Sequence, residues 1–211
     1  METRSEKIYA KADRNINIEV IPGHFATNHS HVNFYVNMTS LKTHHSMAKL
    51  GAAVLAGKFT ATPVDTIVCL EGTQVIGAFL AEELSKGPMA LSSGDNINVI
   101  TPETNANNQM IFRKNTQDMV LGRNVLLLLA SVSTGKTINR SLECLEYYNA
   151  NLAGIAALFS ATHSIYGKKI ESIFSEEEVA GYQTYLPGQC EMCSKKVKLD
   201  AIVNSFGHSK L

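Results

Sequence analysis

The chain has 211 residues, of which 45% are hydrophobic, and its 19 acidic side chains balance 19 basic ones. This length and composition predict one well-buried core, while the zero net charge argues against a nucleic-acid-binding protein, which usually carries a basic excess. The longest apolar run, residues 125–130, is too short to cross a bilayer, and residues 1–17 contain no apolar signal sequence, so we expect a cytoplasmic protein with no membrane partner.

Predicted helices and strands begin to alternate after an irregular stretch of roughly 40 residues that shows no clean periodicity. Residues 44–58 are predicted to form a helix, because the apolar side chains recur on one face. Residues 64–70 (VDTIVCL) are rich in β-branched side chains and predict a buried strand. A tight turn at 71–74 then leads into a second predicted helix at 75–86.

The second half of the chain continues the alternation. Five consecutive apolar residues at 125–129 predict a strand that is covered on both faces, followed by a polar loop at 131–136. An Asn-rich turn is predicted at 102–108. The remaining predicted elements are two short strands, a helix and a buried strand, at 97–100, 110–113, 137–150 and 153–160.

This alternation predicts an α/β fold with a mostly parallel sheet that is flanked by helices and has right-handed crossovers. Ligands of such sheets bind outside the carboxyl ends of the strands. The loops at 71–74 and 131–136 follow predicted strands and are therefore the candidate binding loops.

The loop that follows the strand at 125–129 has the composition of an anion-binding site. Backbone N–H groups converge at such a strand–loop–helix junction, and the helix N-terminus favours negative charge. Ser133, Thr134 and Thr137 add hydroxyl donors, and Gly135 allows a phosphate to approach closely. The structural alternative is an ordinary connection in which Ser or Thr caps the helix.

The same loop partly matches the P-loop pattern G-x-x-x-x-G-K-[ST] of nucleotide-binding proteins. Gly135, Lys136 and Thr137 fit the end of that pattern, but Ala130 stands at the position of the first glycine. No later strand ends in a metal-binding Asp. A P-loop nucleotide-binding protein is therefore a lower-ranked hypothesis.

The hydrophobic strand and the sequence Thr134-Gly135-Lys136-Thr137 resemble the signature of type I phosphoribosyltransferases, whose loop holds the 5′-phosphate of phosphoribosyl pyrophosphate. The resemblance implies a type I phosphoribosyltransferase fold. The residues that it implies for phosphate binding are Ser131, Ser133, Thr134, Gly135, Lys136 and Thr137. The turn at 71–74 resembles the pyrophosphate loop of the family, which implies pyrophosphate contacts from Glu71, Gly72, Thr73 and Gln74.

Three further segments resemble the orotate phosphoribosyltransferases within that family. Phe25 and Tyr35 resemble the segment beside the base, and Arg113-Lys114 resembles the start of the mobile catalytic loop. The sequence Cys190-Glu191-Met192-Cys193 resembles the Cys-x-x-Cys tail of some orotate enzymes.

The resemblance implies a single domain over residues 1–211, with hood and tail elements at 1–43 and 181–211, and a homodimer. It implies transfer of the phosphoribosyl group from phosphoribosyl pyrophosphate to a pyrimidine-like base with Mg²⁺ present. Arg113 and Lys114 would be the catalytic cations and would reach a neighbouring subunit's site.

Several positions depart from the family pattern where its chemistry takes place. Leu129 and Ala130 replace the acid pair that holds the ribose hydroxyls, directly or through Mg²⁺. In the mobile loop, Gln117 and Met119 replace a lysine and a histidine. These losses favour an alternative hypothesis, a catalytically silent protein that binds a nucleotide or sugar phosphate as a sensor or partner subunit.

Cys190 and Cys193 have the spacing of half a zinc site, which needs four ligands in all. The candidates for the additional ligands are His208, Cys69 and Cys144, although the last two fall in a predicted strand and helix and are expected to be buried structural thiols. Two half-sites of a dimer could also form one zinc site.

His29 and His31 alternate, so an extended segment would place both side chains on one side. A ligand contact is one interpretation of this pair. Surface or half-buried histidines without a functional role are the preferred interpretation, since no carboxylate partner is evident nearby.

Overall fold

The computed structural model describes residues 2–87, 96–105 and 109–211. After a short 3-10 helix at Glu2–Arg4, the strands are β1 (Glu6–Tyr9), β2 (Asn17–Ala26), β3 (His31–Asn37), β4 (Thr66–Cys69), β5 (Asn98–Ile100), β6 (Glu103–Thr104), β7 (Met110–Ile111), β8 (Asn124–Val132), β9 (Asn151–Ser160), β10 (Ser164–Ile165), β11 (Lys168–Ser175), β12 (Thr184–Tyr185), β13 (Ala201–Asn204) and β14 (Gly207–Lys210). The helices are α1 (Thr39–Thr43), α2 (His45–Lys58), α3 (Gln74–Ser85), α4 (Lys114–Gln117), α5 (Lys136–Tyr147) and α6 (Glu191–Ser194). Within the described ranges, no helix is both long enough and apolar enough to span a membrane.

The central sheet has the strand order β10-β11-β9-β8-β4-β5. All neighbours are parallel except the edge strand β10, which pairs antiparallel with β11. Numbered along the chain, the five parallel strands lie in the order 2-1-3-4-5 of a doubly wound sheet, and the direction of strand addition reverses between β4 and β8. The predicted α/β fold with a mostly parallel sheet is thus confirmed, and the reversal places the ligand-binding edge beside β4 and β8.

Strand β8 lies in the middle of this sheet, and its side chains alternate between two apolar layers. Leu126 and Leu128 pack in the layer that contains α2 and α3, whereas Leu127 and Leu129 pack on the opposite face below α5. Burial on both faces explains the uninterrupted apolar run in the sequence.

The second six-stranded sheet, here called the hood sheet, is built from both ends of the chain. Its order is β12-β3-β2-β13-β14, and β1 pairs with β2 outside that path. Strand β13 runs parallel to β2 beside Phe25, and a small apolar core fills one side of the sheet. The sequence did not indicate β2 or β3, because a bulge between Pro22 and Phe25 interrupts the alternation of buried and exposed side chains in β2.

Several predicted bounds differ from the structure. Strand β8 extends to Val132, so Ser131 belongs to the strand, and only residues 133–135 separate it from α5. The predicted strand at 110–113 shortens to β7, which pairs with β6 outside both large sheets. Residues 106–108 of the predicted turn lie outside the described residues. Strand β11 was not predicted.

Candidate functional site

A cavity of ≈ 240 Å³ opens between the carboxyl ends of β4 and β8 and the hood sheet. The central sheet contributes Glu71, the end of β8 and the first turn of α5. The hood side of the wall includes Thr27, Asn28, His29, Tyr35, Asn204 and Ser205. The cavity therefore lies at the reversal point of the strand order, where doubly wound sheets bind their ligands.

The predicted phosphate loop lines this cavity from Ser131 to Thr137. Gly135 is the N-cap of α5 with φ 74°, and no side chain caps the helix there. The left-handed backbone angle favours glycine at this position, and a Cβ atom there would also displace the Ile165 side chain. Because the first turn of α5 lacks a side-chain cap, its N–H groups and the helix dipole favour an anion in the cavity.

Positive charge surrounds this loop. Burial lowers the pKa of His29, and the positive charges of Lys136 and Arg140 lower it further. Lys42 also lines the cavity, where burial lowers its pKa and the nearby Glu71 partly offsets that effect. These cationic side chains repel one another, and an anionic ligand in the cavity would offset that repulsion.

Glu71 is the one carboxylate among the described residues that line the cavity. Its backbone is left-handed, with φ 58°, and its Oε2 atom accepts a hydrogen bond of 3.1 Å from the Ser131 N–H. Burial raises the pKa of Glu71, while hydrogen bonds from the backbone of Ser131 and Ala130, the charge of Lys42 and the Thr137 hydroxyl act in the opposite direction. A carboxylate from the β4 turn therefore lies beside the position where the family's acid pair would be expected.

Leu129 and Ala130, which occupy the acid-pair positions, both lie in β8 at the cavity and are 0% and 2% exposed. Leu129 packs in the apolar layer below α5. The end of β8 therefore presents apolar side chains where the family pattern has two carboxylates.

The predicted pyrophosphate turn contributes less than the sequence suggested. Only Glu71 of this turn lines the cavity, whereas Gly72 and Gln74 are exposed elsewhere. Thr73 is fully buried, and its Oγ1 atom lies 2.8 Å from Leu70 O and 3.1 Å from Leu128 O. The Thr73 hydroxyl therefore joins β4 to β8 and is not directed at a ligand.

Arg113 and Lys114 lie outside the cavity of their own chain. Arg113 donates two hydrogen bonds to Glu103, of 2.6 and 2.7 Å, on an exposed surface. Lys114 begins the short helix α4 and is also exposed. Within one chain, these two predicted catalytic cations do not approach the phosphate loop.

Sequence reasoning missed Lys42, which connects the two sheets across the cavity. Its Nζ atom donates hydrogen bonds to Glu71 O, at 3.3 Å, and to Ser205 O in the turn between β13 and β14. Lys42 belongs to the five-residue helix α1 and carries no motif, so only the tertiary structure places it in the site.

Cys190 and Cys193 lie at the start of α6 beside the hood sheet, next to His24 and His31, and none of the four lines the cavity. The structure places none of His208, Cys69 and Cys144 in this cluster. His208 packs against the ring of Tyr35, with centroids 5.1 Å apart. Cys69 and Cys144 are buried in the apolar layers of the central sheet, and that burial raises their thiol pKa values to about 12 and about 11, as expected for structural thiols.

The loop geometry argues against the P-loop hypothesis. Ala130, at the position of the first glycine, lies inside β8, so only residues 133–135 connect the strand to α5. A P-loop needs its four intervening residues in the loop to wrap the phosphates.

Neither a model of a known protein family nor a curated protein sequence matches the chain. Solved structures do match. The orotate phosphoribosyltransferase of Mycobacterium tuberculosis is 12% identical, with 70% of this chain and 83% of that chain covered and a TM-score of 0.51. A phosphoribosyltransferase of Corynebacterium diphtheriae is 17% identical, with coverage of 69% and 89% and a TM-score of 0.50.

The UMP synthase of Leishmania donovani is 18% identical and has a TM-score of 0.57, with 76% of this chain but only 34% of the longer synthase covered. At these identities the similarity concerns the fold. The chain has the type I phosphoribosyltransferase fold, which confirms the fold that the sequence resemblance implied.

Proposed function

We propose that this protein binds a ligand with a ribose 5-phosphate group, such as phosphoribosyl pyrophosphate or a nucleoside monophosphate, as a sensor or partner subunit that does not transfer the phosphoribosyl group. The observation that carries the proposal is the phosphate loop itself. The uncapped first turn of α5, with Gly135 in the left-handed conformation, opens into the cavity at the reversal point of the sheet.

The 5′-phosphate would be held by the backbone and hydroxyl groups of the loop. Its contact residues in this proposal are Ser133, Thr134, Gly135, Lys136 and Thr137. Lys136 and Lys42 supply positive charge on two sides of the cavity, and charge-assisted hydrogen bonds to phosphate are about twice as strong as neutral ones.

We expect no transfer of the phosphoribosyl group because the end of β8 lacks the carboxylates that the reaction needs. Phosphoribosyl transfer develops positive charge on the ribosyl centre, so correctly placed carboxylates stabilise its transition state. The side chains of Leu129 and Ala130 can supply neither charge nor hydrogen bonds to the sugar. Mg²⁺ would accompany a pyrophosphate ligand and be held mainly by its phosphates, since Glu71 is the single carboxylate among the described cavity residues.

The homodimer belongs to the same proposal. Arg113 and Lys114 are exposed and lie outside the cavity of their own chain, so they are available to approach the cavity of a second copy. Sedimentation measurements on the purified protein would test this part separately from ligand binding.

Calorimetric titration with phosphoribosyl pyrophosphate and with uridine monophosphate, each with and without Mg²⁺, tests the proposal. We expect saturable binding that weakens about tenfold in Lys136→Ala, which is about 1.4 kcal/mol. Lys49→Ala is the matched control, because Lys49 is an exposed lysine on α2 outside the cavity. The absence of binding at millimolar concentrations of both ligands would refute the proposal.

Residual transfer to a pyrimidine-like base such as orotate is a second candidate, favoured by the position of Glu71. Its carboxylate lies at the Ser131 N–H beside Ala130, where it is close enough to serve in place of the missing acids. Release of pyrophosphate from phosphoribosyl pyrophosphate in the presence of orotate, abolished in Glu71→Gln, would establish this candidate. Binding without turnover would leave the first proposal in place.

A further inference from the structure

Four side chains with the chemistry of metal ligands converge beside the hood sheet. Their ligand atoms all lie within 4.8 Å of one another: His24 Nε2, His31 Nδ1, Cys190 Sγ and Cys193 Sγ. His24 and Cys190 are buried, His31 is half-buried and Cys193 is exposed, so the cluster extends from the interior to the protein surface. We propose that these residues form a structural zinc site of the Cys₂His₂ type.

The separations between the ligand atoms have the size that a tetrahedral zinc ion requires. With Zn–N and Zn–S bonds of about 2.0 to 2.3 Å, ligand atoms at the corners of a tetrahedron lie about 3.3 to 3.8 Å apart. His24 Nε2 lies 3.0 Å from His31 Nδ1, 3.4 Å from Cys190 Sγ and 3.6 Å from Cys193 Sγ, and Cys193 Sγ lies 3.3 Å from His31 Nδ1. Small shifts would therefore accommodate the ion.

Hydrogen bonding alone does not account for this arrangement. His24 Nδ1 lies 2.9 Å from Val197 O, and a carbonyl oxygen only accepts, so Nδ1 carries the hydrogen. In the neutral ring, Nε2 is then an acceptor with one lone pair, yet three potential ligand atoms surround it. A metal ion satisfies all of them at once, and the Nδ1–H bond to a carbonyl oxygen is the outer contact that metal-binding histidines usually make.

One ligand, His24, belongs to an irregular part of its strand. His24 lies in the bulge between Pro22 and Phe25, and its N–H donates a hydrogen bond to Asp200 Oδ2 at 2.9 Å. Two thiolates and two imidazoles in a tetrahedral arrangement select zinc among the common divalent ions.

The proposed site joins distant parts of the chain. Its ligands come from β2, from the start of β3 and from the start of α6, and Cys190 follows His24 by 166 positions in the chain. Residues 27–30 connect β2 to β3, and Thr27, Asn28 and His29 of that connection line the cavity. A bound ion would therefore hold one wall of the cavity in place.

The test is zinc binding by the full chain after reduction and removal of metals with a chelator. We expect uptake of about one zinc per chain. His31→Asn and Cys193→Ser should lose most of that uptake, and both substitutions lie outside the buried part of the cluster. His208→Asn is the matched control, because His208 is an exposed histidine of the same sheet that does not belong to the cluster.

A second measurement needs no variant. Cobalt bound in place of zinc should give the intense visible absorption of a tetrahedral site together with a thiolate charge-transfer band for two sulfur ligands. Uptake of half a zinc per chain that survives His31→Asn would indicate two cysteine pairs in a dimer and would overturn the proposal. An octahedral cobalt spectrum, or no uptake of zinc by the wild-type chain, would also overturn the proposal.

The effect of the ion on the cavity wall rests on the proposed function and has its own measurement. If the site holds residues 27–30, removal of zinc should weaken binding of phosphoribosyl pyrophosphate severalfold, and zinc should restore it. Zinc uptake without any ligand binding would refute the proposed function and leave the metal site intact.

Discussion

The central sheet and the hood sheet reach stability by different routes. In the central sheet, β8 buries consecutive leucines on both faces, so apolar packing alone accounts for its position. The hood sheet joins the two ends of the chain. It packs Ile18, Val20 and Val36 into the apolar layer that contains α2 and α3, has a second, smaller core around Phe25, and adds a cluster of histidines and cysteines. The phosphate loop therefore stands on a scaffold held by apolar packing, whereas the opposite wall of the cavity combines apolar packing with long-range polar contacts.

The largest expected effect comes from placing a charge in the central sheet. Leu129→Asp would bury an unpaired carboxylate below α5 and should lower the free energy of unfolding by about 4 kcal/mol or more. Ala130→Asp should cost roughly half as much, because Ala130, unlike Leu129, belongs to neither apolar layer of the central sheet. Urea unfolding monitored by circular dichroism measures the free energy of unfolding of each variant. Equal losses in the two variants would contradict this difference between the two positions.

Two glycines allow a matched test of the two sheets. A Cβ atom at Gly77 of α3 would lie 2.3 Å from Cys69 Sγ, and one at Gly23 of β2 would lie 2.4 Å from Asp200 Oδ2. Each alanine variant should cost about 1 to 3 kcal/mol through overpacking. Hydrogen exchange should show loss of protection throughout the central sheet for Gly77→Ala, but mainly in β2 and β13 for Gly23→Ala. Identical patterns would mean that the sheets unfold as one unit.

Lys42→Met tests the connection between the sheets. The substitution removes the hydrogen bonds of Nζ to Glu71 O and Ser205 O, and we expect a loss of about 1 to 2 kcal/mol. Exchange of the amides in β13 and β14 should accelerate more than exchange in β8. Lys49→Met, an exposed lysine on α2, should leave both rates unchanged. If β8 responds as strongly as β13, Lys42 does not act as a specific link.

The smallest effect concerns the pH dependence that Glu71 contributes. Burial raises its pKa in the folded state above the unfolded value, so its stabilising contribution is complete below the unfolded pKa and is lost as pH rises through the raised folded pKa. Glu71→Gln should abolish this loss and change stability at neutral pH by less than about 1 kcal/mol. Thermal unfolding between pH 4 and pH 8, pH values chosen to bracket the ordinary pKa of a glutamate, compares the two proteins. Parallel pH profiles would show that Glu71 does not titrate abnormally.

The sequence by pattern indicated β4, β5, β8 and β9 of the central sheet and the glycine-bearing loop after β8, whereas β11 was not predicted. Apolar runs such as 125–129 and the glycine-bearing loop after them are local signals, because burial on both faces and a tight strand-to-helix turn restrict which side chains can occupy successive positions. Cys69 and Cys144, predicted from their strand and helix to be interior thiols, are both buried.

The hood side of the cavity and the residues of the histidine–cysteine cluster became apparent from the tertiary structure. Lys42, Glu71 and Ser205 meet because α1, the β4 turn and the hood sheet fold over one another, and no periodicity in the sequence encodes that meeting. His24 joins Cys190 across most of the chain through a bulge that interrupts the strand pattern. Spacing reveals ligands that are close in sequence, whereas contacts between chain ends depend on the packing of the whole molecule.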